Sequence, residues 1–143
     1  MSRNSEILTK ADFERLAHFR YGLRRFLRRS EELCRKQGLT PLQYQALLQI
    51  GGIPGKNWAT VGELAERLQA HPHGVVSLVT RCEALGLVER RVGRSDRRQV
   101  EVHLTANGLQ ELQALAQLHQ PELRMLQAEF SLPGWQELED EAA

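Results

Sequence analysis

Leu85-Gly86-Leu87-Val88-Glu89-Arg90-Arg91-Val92-Gly93-Arg94-Ser95-Asp96-Arg97-Arg98-Gln99-Val100-Glu101-Val102-His103-Leu104-Thr105 is where the chain changes period. Before it, apolar residues recur every three or four positions. From Leu87 they alternate with polar ones, most clearly at Val100, Val102 and Leu104. Residues 87–91 and 99–104 therefore read as two strands. The intervening 92–98, with Gly93, Ser95 and Asp96, reads as the turn of a hairpin. Arg90, Arg91, Arg94, Arg97 and Arg98 crowd this hairpin, with Asp96 among them. Guanidinium groups so close repel one another unless anions bind between them, and phosphate suits their forked donors.

Working backwards, His71-Pro72 places a proline at the first position of a helix that Gly86 closes. Val75, Leu78, Val79, Cys82 and Leu85 mark its buried stripe, and the opposite face carries His73, Val76, Ser77, Thr80 and Ala84, with Arg81 at the edge. Such small or polar side chains let a helix lie deep in a DNA major groove; a merely solvated face has the same composition. Thr60-Val61-Gly62-Glu63 is a capping box opening a short helix just upstream, and Thr40-Pro41-Leu42-Gln43 is another. Two short helices a few residues apart form a helix-turn-helix, and the hairpin after them is a wing.

Two long helices flank this centre. From about Lys10 to Arg35, Leu16, Phe19, Leu23, Phe26, Leu27, Ser30, Leu33 and Cys34 follow helical spacing. After Thr105, Leu109, Leu112, Leu115, Ala116 and Leu118 do the same, with a kink or break expected at Pro121. A last short helix is expected after Ser131-Leu132-Pro133, with Trp135 and Leu138 on one side. The fold class is mainly α with a small β-hairpin wing: an N-terminal dimerisation helix over 1–39, a winged helix-turn-helix over 40–104 and C-terminal dimerisation helices over 105–143. The outer stripes exceed what the small centre can cover, so a second copy is the expected partner.

The net charge of the 143 residues is +1, which by itself argues for no nucleic-acid partner. Its layout says otherwise. Residues 1–36 carry +5, 37–86 balance, 87–104 carry +2, and the remainder carries −6. Apolar runs stay far below the roughly 20 residues of a membrane span, so no membrane partner is expected. Met1–Glu6 lacks the features of a secretory signal, and a cytoplasmic location is expected. Cys34 and Cys82 make no disulfide framework, and no cysteine–histidine set has zinc spacing. His71 and His73, two apart, are expected to diverge on a helix. No phosphate loop, nucleophile motif or paired catalytic carboxylates is visible, so neither an enzyme nor a cofactor or metal is read.

The stretch from about Thr40 to Thr105 resembles the MarR family of winged helix-turn-helix transcription regulators. The resemblance rests on Val61-Gly62-Glu63-Leu64-Ala65, on Leu85-Gly86-Leu87-Val88 and, most specifically, on Ser95-Asp96-Arg97-Arg98-Gln99-Val100-Glu101-Val102-His103-Leu104-Thr105. It implies a homodimeric repressor reading a pseudo-palindromic double-stranded DNA site, with helix 72–85 in the major groove and wing 90–98 in the minor groove. His73, Gly74, Val76 and Ser77 take the base-reading positions, and Arg81 faces the backbone. Arg90, Arg91, Arg94, Asp96, Arg97 and Arg98 belong to the wing, where the Asp96 carboxylate would hold the Arg98 guanidinium. Thr80 stands where an acidic residue is frequent in the family.

The resemblance also implies release by a small aromatic or anionic effector, for which His18, Tyr21, Arg25 and Tyr44 are candidate lining groups, although residues of these kinds are more often packing or surface. Two alternatives stay open. One is a winged helix used for protein contacts; the other is a redox-sensing regulator, with Cys34 beside Arg35 and Lys36, whose charge favours a thiolate.

Overall fold

The computed structural model describes residues 7–129. Eight elements follow in chain order: helix α1 (Lys10–Lys36), α2 (Pro41–Gly51), strand β1 (Trp58–Thr60), α3 (Val61–Leu68), α4 (Pro72–Ala84), β2 (Val88–Val92), β3 (Val100–Leu104) and α5 (Ala106–Glu129). The described residues form two compact units, Glu31–His119 and, separately, residues 7–30 with 120–129, so each boundary falls inside a long helix. The helix expected after Ser131-Leu132-Pro133, with Trp135 and Leu138, lies outside the described residues.

In the Glu31–His119 unit the helix starts are set as the sequence reads. Thr40 accepts the Gln43 amide at 3.1 Å while the Gln43 side chain accepts the Thr40 amide at 3.0 Å. Thr60 and Glu63 repeat the exchange at the start of α3. Each box satisfies two amides that a helix start leaves without partners. The core joins Leu47, Ile50, Leu64, Val75, Val79, Val102 and Leu115, each at most 1% exposed, with Cys34 from the end of α1. Residues 31–119 thus take the last turn of α1 and the first half of α5 into one core.

The hairpin turns out to be two-thirds of a sheet. β3 sits centrally, antiparallel to both β1 and β2, in the order β1-β3-β2. Three residues are too few to show alternation, which is why β1 escapes a reading by period; its fully buried Ala59 opposite Val102 is the inward-facing position. Register separates the faces. Arg90 lies opposite Val102 on the inner side, while Arg91 and Thr60 flank Glu101 on the outer side.

Some expectations are corrected. Leu85, expected on the buried stripe, is 53% exposed, because α4 ends at Ala84 and Leu85 is already its C-cap. Leu27, off the true inward arc of α1, is also exposed. Pro121 does not break α5, which runs continuously from Ala106 to Glu129. In the unit of residues 7–30 and 120–129, Arg29 Nε donates to Glu122 Oε1 at 3.2 Å, tying α1 to α5 just beyond that proline. Among the described residues no helix is long and apolar enough to cross a membrane.

Both cysteines are buried, and burial pushes the Cys82 thiol up to about 11. A thiol-specific reagent such as DTNB should therefore leave Cys82 unmodified in the native protein and react once denaturant unfolds it; rapid native labelling at Cys82 would contradict this packing. A second prediction concerns Gly108. A Cβ there would lie 1.9 Å from the Leu87 carbonyl oxygen. Gly108→Ala should lower unfolding stability by roughly 2–4 kcal/mol, read as a shifted urea midpoint.

Candidate nucleic-acid interface

Helix α4 presents its outer face as the sequence suggests. His73, Gly74, Val76, Ser77, Thr80 and Arg81 are exposed, while Val75, Leu78, Val79 and Cys82 are buried beneath them. The helix starts at His71, an extended N-cap whose Nδ1 accepts the His73 amide at 3.4 Å. For that reason the His71 and His73 rings do not diverge. They stack 5.3 Å apart at 12°, since only His73 has helical backbone.

The wing turn is closed by backbone chemistry. Gly93 donates to the Gln99 carbonyl at 2.9 Å and Gln99 to the Asp96 carbonyl at 3.1 Å. A Cβ at Gly93 would sit 2.4 Å from the Asp96 oxygen, so the turn admits only glycine without moving. The Asp96 carboxylate accepts the Arg98 amide at 3.0 Å and Arg98 Nε at a longer 3.4 Å. It shapes the turn more than it grips the guanidinium, as an aspartate two residues before a turn amide does. The Arg98 side chain is 93% exposed. Arg94 and Arg97 are exposed beside it.

The other two arginines of the hairpin are engaged within the lobe. Arg91 pairs with Glu89 through Nε at 2.7 Å and through Nη2. Arg90 turns to α4: Nη1 donates to Glu83 Oε1 at 3.0 Å, and Nη2 to Thr80 Oγ1 at 2.8 Å and to the Val76 carbonyl at 3.1 Å. Its backbone amide donates to Glu83 Oε2 at 2.9 Å, and these bonds hold the Glu83 carboxyl below its ordinary range. A count of arginines along the sequence does not distinguish these fates; their alternation in β2 does.

On the outer face of the sheet lies a half-open groove of about 560 Å³, lined by Lys56, Trp58, Arg91, Arg94, Glu101 and His103 among others. Lys56 Nζ sits 3.9 Å from the Trp58 ring centre and 2.6 Å from Glu63 Oε1. Glu101 is 6% exposed, pairs with His103 Nε2 at 2.9 Å and accepts the Arg94 amide. These bonds, that of His103 foremost, hold its carboxyl below the usual range and tie the wing loop to β3. Lys56 and Trp58 go unnoticed in the sequence, because nothing in their spacing announces that the two side chains stack.

The four effector candidates are divided between the two units. His18, Tyr21 and Arg25 are exposed on α1, with the Arg25 guanidinium 5.6 Å from the Tyr21 ring centre. Tyr44 is buried in the other unit, stacked on the buried His119 at 4.8 Å.

Residues 37–99, which hold both helices and the wing turn, match the MarR family. That stretch is similar to the MarR family. The HTH-type transcriptional repressor MdtR of Bacillus subtilis (strain 168) is 32% identical over 77 residues, 54% of this chain and 48% of that protein. The chain thus spans about half the length of this curated relative. Among solved structures, AbsC, a MarR family transcriptional regulator from Streptomyces coelicolor, superposes with a TM-score of 0.72 at 22% identity, covering 96% of this chain and 90% of the other. A mutant MepR from S. aureus bound to an oligodeoxyribonucleotide gives 0.63 at 18%, covering 96% and 91%. At these identities the two structures speak to the MarR fold alone.

Because the Glu101 carboxyl is lowered on folding, its contribution to stability is present above the ordinary carboxylate range and lost as pH falls through its folded value. Glu101→Gln should be less stable than the parent near neutral pH, and the gap in urea midpoint should close as pH falls below the ordinary carboxylate range. A gap independent of pH would contradict the assignment.

Proposed function

We propose that the protein is a DNA-binding transcription regulator of the MarR type, a homodimer that represses from a pseudo-palindromic duplex site. The observation that carries this reading is the wing: an Asp96-shaped turn that holds Arg98 almost fully in solvent, in the same unit as a helix whose outer face is small and polar. In the proposed complex α4 enters the major groove with His73, Gly74, Val76 and Ser77 at base edges and Arg81 at the backbone. Arg98 reaches the minor groove, where negative potential concentrates, with Arg94 and Arg97 beside it and Arg91 at the wing root.

Dimerisation fits the exposed apolar residues on the flanking helices, including Phe13, Leu27, Leu123 and Met125. A lone winged helix reads few base pairs, and a second copy doubles the site. The name of the Bacillus subtilis relative supports repression. Release by a small aromatic or anionic effector belongs to the same reading, with His18, Tyr21 and Arg25 as accessible contacts. Tyr44, packed on His119, takes part only if the core around it rearranges.

Arg98→Ala should weaken binding to a selected duplex site by on the order of 10- to 100-fold, and flatten the dependence of log affinity on log salt by about one per subunit. Unchanged affinity, or a wild-type affinity insensitive to salt, would sink the reading in favour of a protein-binding winged helix.

A further inference from the structure

We infer that Arg90 is a positioning residue, which locks the recognition helix to the wing and so sets sequence specificity, and is not a phosphate contact. The inference rests on the DNA-binding reading above and reassigns one of its arginines.

Position on α4 comes first. Val76, Thr80 and Glu83 are spaced by four and then three residues, so they form one stripe along the helix. Arg90 bonds all three: the carbonyl of the first, the hydroxyl of the second and the carboxylate of the third. Thr80 Oγ1 itself donates to the Val76 carbonyl at 3.0 Å, which aims its lone pairs at the guanidinium. Glu83 grips Arg90 at both ends, one oxygen on the backbone amide and the other on Nη1. A planar fork with donors fixed in several directions can satisfy three acceptors at once, whereas a lysine ammonium presents one point of charge.

What this clamp spans matters as much. Between α4 and β2 lie only Leu85, Gly86 and Leu87, and Gly86 takes a positive φ of 75°. A glycine turn allows the hairpin to swing; the Arg90 bonds remove that freedom. Two readers aimed at neighbouring grooves must be held at one separation, and each loose degree of freedom costs entropy on binding. The Arg90 side chain is 27% exposed and its charge is already faced by Glu83, so it has little left to offer a phosphate.

The two roles predict opposite results for Glu83. Were Arg90 a phosphate contact, Glu83→Gln would release it and remove a negative charge, tightening specific and non-specific binding alike. As a positioning residue, Arg90 loses its anchor, so Glu83→Gln should weaken binding to the selected site by about tenfold while leaving affinity for a scrambled duplex unchanged or higher. Arg90→Lys, which keeps the charge, should lose specificity to a similar degree with an unchanged salt slope. Thermal unfolding of both variants, followed by circular dichroism, confirms that each is folded in the assay. The inference is overturned if Arg90→Lys matches the parent, or if Glu83→Gln tightens both duplexes. If the parent chain itself shows no preference for any duplex selected from a random pool, the DNA reading falls, and that outcome is distinct from the first two.

Discussion

The Leu87 carbonyl is the point on which the Glu31–His119 lobe closes. It accepts the Thr105 amide at 3.1 Å, at the start of α5, while Thr105 Oγ1 donates to the Gly86 carbonyl at 2.5 Å and accepts the Gly108 amide at 3.0 Å. One threonine therefore caps α5, ends β3 and pins the turn that leaves the recognition helix. The approach is so close that position 108 has no room for a methyl group. Everything the wing does depends on this junction, because both strands of the hairpin return to it.

Much of this was legible in the residues. The two capping boxes, the prolines at the starts of α2 and α4, and the alternation through Val100, Val102 and Leu104 are local signals, and local signals survive folding. What was not legible had non-local causes. Strand β1 exists because Ala59 fits against Val102, a pairing across more than forty residues that no short window contains. Leu85 looked buried because the stripe was extended one turn too far, past the point where the helix hands over to Gly86. Pro121 sits inside α5 despite the amide it lacks, so tertiary context overrode a strong local preference.

The candidate site divides along the same line. That the hairpin is rich in arginine is a fact of composition, but which arginines face outward is a fact of register. Arg90 and Arg91 are neighbours in sequence and opposites in the sheet: one is drawn under α4 by Glu83 and Thr80, the other held outside by Glu89. The +2 of this segment therefore overstates the charge on display along the strand and understates it at the tip, where Arg94, Arg97 and Arg98 gather. On the outer face, Glu101 is a buried acid whose partners, His103 and the Arg94 amide, come from two different parts of the wing.

The same tip exposes the chain to a different chemistry. Arg94, Arg97 and Arg98 occupy a loop between strands, open to solvent and shaped by one glycine and one aspartate. Trypsin cleaves after such residues, and exposed loops are where it cuts folded proteins first. A cut there would leave two fragments held together by the sheet and the core: one carries the recognition helix and β2, the other β3 and α5. The protein would survive as a nicked lobe with its hydrophobic centre intact and its wing in two pieces, and bound DNA would be the natural shield against it.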